Sequence, residues 1–210
     1  MLHDTRVVYD LEIACNRTIV GIKAAGQMPE HLVIDAPLDA DTAAEIDNRL
    51  GGGREVAGYN NSGFDSYILN AALNGAEPQF LHQLAQDIIT TRGPAWRVAQ
   101  SYGAERCTYN ELDLMNYTPR GRLKDYEGRL GLAIVDLPFD PRQPITDAQL
   151  PEVVHYLEHD LLATETLRNA VEGDVQARLV LEDMFDLPGL TKKTAANVAA
   201  SIIVSEYTRA

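Results

Sequence analysis

Apolar residues along the chain follow strand-like spacing first and helical spacing afterwards. Arg6 to Glu12 is an apolar run that ends in acids, Thr18 to Ala25 follows within hairpin distance, and His31 to Asp35 is a third short segment, so the three read as a β-meander. Asp41 then opens a helical pattern through Ile46 and Leu50, which Gly51-Gly52-Gly53 terminates before a fourth strand at Glu55 to Tyr59. Gly63 to Leu73 places Phe64, Tyr67, Ile68, Ala71 and Ala72 on one helical face, and another strand is predicted at Tyr109 to Met115. Arg122 to Leu130 and Asp147 to Ala170 read as helices, the second with Asp147 as its cap and Pro151 in its first turns. From Gly173 two more helical patterns are broken at Leu187-Pro188-Gly189, with Thr191 as the cap of the last. Strand-helix-strand order implies an α/β sheet.

Composition narrows the functional classes. A chain of 210 residues with 45% hydrophobic content can form one domain with a small appendage and a substantial core. Its formal charge of -13, from 31 acidic against 18 basic residues, repels a polyanion at long range and argues against a non-specific duplex coater. Local binding of nucleic acid through metal ions and a few well-placed Arg and Lys stays open. Cys15 and Cys107 are far apart and form no C-x-x-C pair, so neither a disulfide framework nor a zinc site is suggested. Met1-Leu2-His3-Asp4 lacks the basic-then-apolar pattern of a signal segment, and no stretch approaches a membrane span. The expectation is a cytoplasmic protein with no membrane partner.

Three acidic signatures carry the chemistry. Asp10-Leu11-Glu12 ends an apolar strand, and residues i and i+2 of a strand share a face, so the two carboxylates stand side by side. Taken alone, the pair also fits a solvated strand end, and Asp125-Tyr126-Glu127 matches the same pattern in a charge-rich helical stretch where the acids point apart. Asn60-Asn61-Ser62-Gly63-Phe64-Asp65 puts Asp65 just inside a helix N-terminus, where the dipole favours an acid in any case. Asn60 and Phe64 add an amide for hydrogen bonding and an aromatic ring for base stacking. In Tyr156-Leu157-Glu158-His159-Asp160, Tyr156 and Asp160 are four apart on a helix and share a face. His155 lies about 140° round from Asp160 on a regular helix and is the rival for handling a nucleophilic water. Four acids brought from distant segments to one place would repel one another and raise one another's pKa values unless divalent cations neutralise them.

In order and spacing these motifs resemble those of the DnaQ-like (DEDD) 3′→5′ exonuclease superfamily, and the Tyr156-x-x-x-Asp160 form resembles its DEDDy branch, which includes proofreading domains of DNA polymerases. Gly121-Arg122-Leu123-Lys124 to Arg129-Leu130-Gly131 is similar to the "LK…LG" element such domains carry before the third motif. The resemblance covers about residues 6 to 170, giving an exonuclease domain at 1–172 and a helical C-terminal extension at 173–210. That extension, through Leu190-Thr191-Lys192-Lys193-Thr194, resembles the stretch after the exonuclease in some bacteriophage polymerases. A free-standing phage-type exonuclease in the host cytoplasm and the N-terminal piece of a longer polymerase both fit.

The resemblance implies an RNase H-like fold with a mixed five-stranded sheet flanked by helices. It also implies that Asp10, Glu12 and Asp160 hold a first Mg²⁺ or Mn²⁺, with Asp10 bridging to a second supported by Asp65. Two such ions activate a water and stabilise the departing 3′ oxygen. Tyr156 would orient that water, while Leu11, Ile13, Asn60, Phe64 and Lys124 would contact substrate. Ile13 stands where many relatives have Thr. Arg92, Arg97, Arg106, Arg120, Arg122, Lys124 and Arg129 form a local basic excess that reads equally as a phosphate-facing rim or a mixed-charge surface. Trp96 can stack on a base or fill core. The expected activity is hydrolysis of single-stranded DNA or frayed 3′ ends to nucleoside 5′-monophosphates. The rivals are a 3′→5′ exoribonuclease and a module that docks a DNA polymerase or other replication protein.

Overall fold

The computed structural model describes residues 6–119 and 121–209. Met1 to Asp4 and Arg120, named above, lie outside the described residues. Five strands, β1 (Arg6–Ile13), β2 (Thr18–Ala24), β3 (Glu30–Ile34), β4 (Glu55–Gly58) and β5 (Asn110–Asp113), form one sheet in the order β3-β2-β1-β4-β5. The β1–β2 and β2–β3 pairs are antiparallel, and the β1–β4 and β4–β5 pairs are parallel. The meander is therefore joined to two strands reached by crossovers, which makes an α/β mixed sheet.

Helices cover both faces. On one lie α1 (Ala40–Leu50), α2 (Asp65–Leu73), α3 (Pro78–Thr90) and α4 (Ala95–Ser101), packed over Val7, Tyr9, Leu11, Ile13, Val20, Ile22 and Val56. On the other, α5 (Leu123–Glu127), α6 (Leu150–Ala170) and α7 (Glu172–Phe185) pack over Val8, Ile19, Ala57 and Leu112. The last helix, α8 (Ala195–Arg209), rests on α7 and buries only Val198. The period-2 alternation of β1 feeds both cores, and each fully buried aliphatic side chain stabilises the fold by roughly 1.5–3 kcal/mol.

Several boundaries differ from the sequence expectation, each for a local reason. Helices α3 and α4 were not anticipated, although Pro78 at the first position of α3 and apolar Leu81, Leu84 and Ala85 at helical spacing announce the first of them. Asp39, whose side chain accepts from the Thr42 N–H at 2.8 Å, caps α1. Asp147 does not cap α6: it pairs with Arg17 at 3.0 Å, and the helix starts at Leu150. Thr191 lies in a 3₁₀ turn, Leu190–Lys192, and it is the Thr194 hydroxyl that accepts from the Asn197 N–H near the start of α8.

The extension is tied to the body. Arg178 donates to the carbonyls of Lys193 at 2.5 Å and Asn116 at 2.9 Å, and its guanidinium lies 3.7 Å from the Tyr117 ring centroid. The Tyr117 hydroxyl donates to the Thr191 carbonyl at 2.6 Å, and Val175 belongs to the same apolar core as α6.

Candidate functional site

Strand alternation delivers the first two acids. Tyr9, Leu11 and Ile13 enter the core under α2 and α3, so Asp10 and Glu12 project from the opposite face, toward α6. The parallel ladder to β4 ends at Val8–Ala57, whereas the antiparallel ladder to β2 continues to Ile13–Thr18. Asp10 and Glu12 thus stand where β1 overruns its parallel neighbour, at the end of the sheet where parallel strands leave a crevice.

Helix α6 brings the third. Asp160 and Tyr156 are buried on its sheet-facing side, with Val153, Leu157 and Leu161, while His155 is exposed. Gly21, opposite Asp10 in the β1–β2 ladder, lets the helix settle: a Cβ there would lie 2.8 Å from both Leu157 Cγ and Leu161 Cδ1. The Asn16 side chain holds the lead-in to α6 by donating to the Ile145 carbonyl at 3.0 Å and accepting from its N–H at 2.9 Å. As a result Asp10, Glu12 and Asp160 each offer a carboxylate oxygen within 4.8 Å of the others.

Asp65 opens α2 and is buried, but it lies outside that set of three. Its electrostatic reach nonetheless includes Asp10 and Glu12. Burial holds Asp10 well above the usual carboxylate range, with Asp65, Glu12 and Asp160 adding to the rise. Glu12 is raised by burial and then by Asp160 and Asp65, against a lowering influence from the Lys124 ammonium. Burial pushes Asp65 itself up to about 7, opposed by a backbone hydrogen bond and reinforced by Asp113 and Glu111. Asp160 reaches about 6 through burial, with the Tyr156 hydroxyl lowering it and Glu127 raising it. Four carboxyl groups made hard to ionise by burial, with Asp10 and Glu12 raised further by the other acids of the set, suit a place that receives cations.

The substrate candidates separate. Lys124, on α5, lies 5.3 Å above the Tyr156 ring and 3.3 Å from the exposed Asp136, next to the carboxylates. Phe64 packs at the edge of the α2-side core, immediately before Asp65. The side chains of Leu11 and Ile13 pack in that core, on the other face of β1 from the acids. Asn60 adopts the left-handed conformation at φ 63° and its N–H donates to Asp113 at 2.9 Å, while the neighbouring Asn61 is fully buried with neither amide atom partnered. Trp96 is 52% exposed rather than core. Arg106 pairs with buried Glu111 at 2.6 Å, which removes it from the free basic rim; Arg97, Arg122 and Arg129 remain exposed.

Two acids escaped the sequence reading. Asp113 ends β5 and binds the turn that carries Asn60 and Ser62. Glu127, read from the sequence as one of two acids pointing apart on a charge-rich helix, is 0% exposed with neither carboxylate oxygen hydrogen-bonded, and its Oε2 lies 3.7 Å from His159 Nε2.

The residues present fit a divalent metal. The donors are all carboxylate oxygens, the preference of hard cations, and Asp160 Oδ1 is buried without a hydrogen-bond partner. No protein-family model matches the chain, and no curated protein or solved structure matches it either.

Proposed function

We propose that this protein is a metal-dependent 3′→5′ exonuclease of RNase H-like fold, acting on single-stranded DNA or frayed 3′ ends. The observation that carries the reading is the meeting of Asp10, Glu12 and Asp160, from a strand and a helix far apart in sequence, within 4.8 Å. The sheet order β3-β2-β1-β4-β5, with the acids at the end of its first parallel strand, supports the fold assignment. The 3′ polarity and the choice of DNA rest on the motif resemblance.

Asp10, Glu12 and Asp160 would hold one Mg²⁺ or Mn²⁺, and Asp10 with Asp65 a second. Bound there, two such ions supply an activated water and neutralise charge on the leaving oxygen. The protein's own groups do the rest. Tyr156 is held well above the ordinary phenol range by burial and by Asp160, so it keeps its proton at neutral pH and orients a water by hydrogen bonding instead of accepting a proton from it. Lys124 places an ammonium beside the acids, where it offsets their charge and can meet the scissile phosphate. Phe64 offers a ring beside Asp65 on which a terminal base can stack.

Matched DNA and RNA oligonucleotides, incubated with Mn²⁺ and with chelator, test the reading. Release of deoxynucleoside 5′-monophosphates from the DNA, abolished by chelator, is the expected result. Strong preference for RNA would replace the substrate assignment with the exoribonuclease alternative, since the same chemistry cleaves both and the 2′-OH decides.

A docking role has one specific support. Helix α8 carries no charged residue from Ala195 to Ser205 and leaves Ile203 and Val204 exposed, with Tyr207 beyond. Such a face can accompany catalysis, as an attachment to a polymerase or other replication protein.

A further inference from the structure

We propose that Asp113 is a positioning residue for Asp65: it fixes the turn that leads from β4 into α2, and so sets where the fourth carboxylate stands. This role rests on the two-metal reading given above.

Asp113 is the last residue of β5, paired with Gly58 at the end of β4 and 6% exposed. Alternation along β5 puts it on the same face as Glu111, which accepts from the Tyr9 hydroxyl at 2.9 Å, and hence on the α2 side of the sheet. Its carboxylate accepts three hydrogen bonds. Oδ1 takes the Asn60 N–H at 2.9 Å and the Met115 N–H at 3.0 Å, and Oδ2 takes the Ser62 hydroxyl. One side chain thereby ties together the exits of two neighbouring parallel strands.

The clamped segment needs such support. Asn60 sits at φ 63° and ψ 15°, a conformation costly for a residue with a side chain, and Phe64 at φ −145° and ψ −79° lies outside the regular regions. Between them runs a single 3₁₀ turn, Asn61–Gly63, too short to hold itself. Asp65 follows directly, so any relaxation of the turn moves its carboxylate relative to Asp10. Asp113 is not itself a ligand candidate, because both its oxygens are occupied by donors and it does not belong to the set of acids within 4.8 Å.

The test compares wild type with Asp113→Ala and Asp113→Asn. The amide of Asn keeps an acceptor for the two backbone N–H groups, and its NH₂ can donate to the Ser62 hydroxyl. Amide hydrogen exchange at residues 60–65 and Mn²⁺ uptake by electron paramagnetic resonance are read in each. Asp113→Ala is expected to speed exchange in that turn and raise the half-saturating Mn²⁺ on the order of tenfold, while Asp113→Asn stays close to wild type. Equal loss in both variants would make Asp113 a direct ligand and overturn the proposal. Unchanged Mn²⁺ uptake in Asp113→Ala, with a lowered melting temperature, would reduce it to a structural residue and also overturn it. Absence of Mn²⁺ uptake by folded wild type would overturn the two-metal reading, and this role with it.

Discussion

Gly21 faces Leu161 across the contact between β2 and α6, and an added methyl group would come within 2.8 Å of Leu161 Cδ1. Because Gly21 also pairs with Asp10, the packing of the helix and the spacing of the acids are one event. Gly21→Ala should therefore cost about 1–3 kcal/mol by overpacking and displace Asp160 from Asp10 and Glu12. Metal-dependent hydrolysis measured below the melting transition should fall more steeply than the folded fraction. A variant that loses stability but keeps full specific activity would separate the two.

Tyr156 shares its buried face with Asp160, and His155 points to solvent. Tyr156→Phe should slow single-turnover hydrolysis on the order of 100-fold without changing the fold, whereas His155→Ala should stay near wild type. The reverse ranking in rapid-quench kinetics would give the water to the histidine.

Proton linkage gives a test that needs no substrate. Asp65, raised to about 7, and Asp160, raised to about 6, hold protons in the metal-free fold that they release when unfolded, where carboxyl groups titrate near ~4. The native state binds more protons across that window, so metal-free stability is fully present below it and is lost as pH rises through about 7. A tenfold difference in proton affinity between the folded and unfolded states is worth ~1.4 kcal/mol, and each kcal/mol moves the melting temperature by roughly 2–4 °C, so that temperature should drop by about 5 °C or more over the window. Mn²⁺ should restore it at the alkaline end, because cations bind the deprotonated acids. Scanning fluorimetry with and without metal reads both effects; a metal-free melting temperature that rises with pH would oppose this electrostatic account.

Sequence periodicity reached the acids more easily than their surroundings. The two-residue repeat of β1 put Asp10 and Glu12 on one face, and the four-residue offset put Tyr156 beside Asp160, because both follow from backbone geometry alone. Asp113 and Glu127 were not legible: an acid becomes a buried clamp or a buried carboxyl group without a hydrogen bond only when distant segments close over it, the 60–65 turn in one case and α6 in the other. The opposite placements of Asn60 and Asn61 depend on a single left-handed residue that no spacing announces. Asp147 misled because a helix cap and a salt-bridge partner look alike until Arg17 arrives from the β1–β2 turn.

The C-terminal extension should be part of the folded body. Removing residues 173–210 strips away Val175, 3% exposed, and Leu190, 0% exposed, together with the Arg178 bonds to Asn116 and Lys193. At roughly 1.5–3 kcal/mol per buried aliphatic, the truncated protein should melt about 10 °C lower or fail to fold. An unchanged melting temperature, with loss only of binding to a polymerase, would make the extension an adaptor.

The most direct measurement is digestion of a 5′-labelled single-stranded DNA with Mn²⁺ by wild type and by Asp10→Ala, both verified as folded. A descending ladder produced by wild type and lost in the variant is the predicted result. A folded, metal-supplied wild type that leaves the strand intact, or a variant that degrades it equally well, would contradict the assignment of these carboxylates to 3′→5′ hydrolysis of DNA.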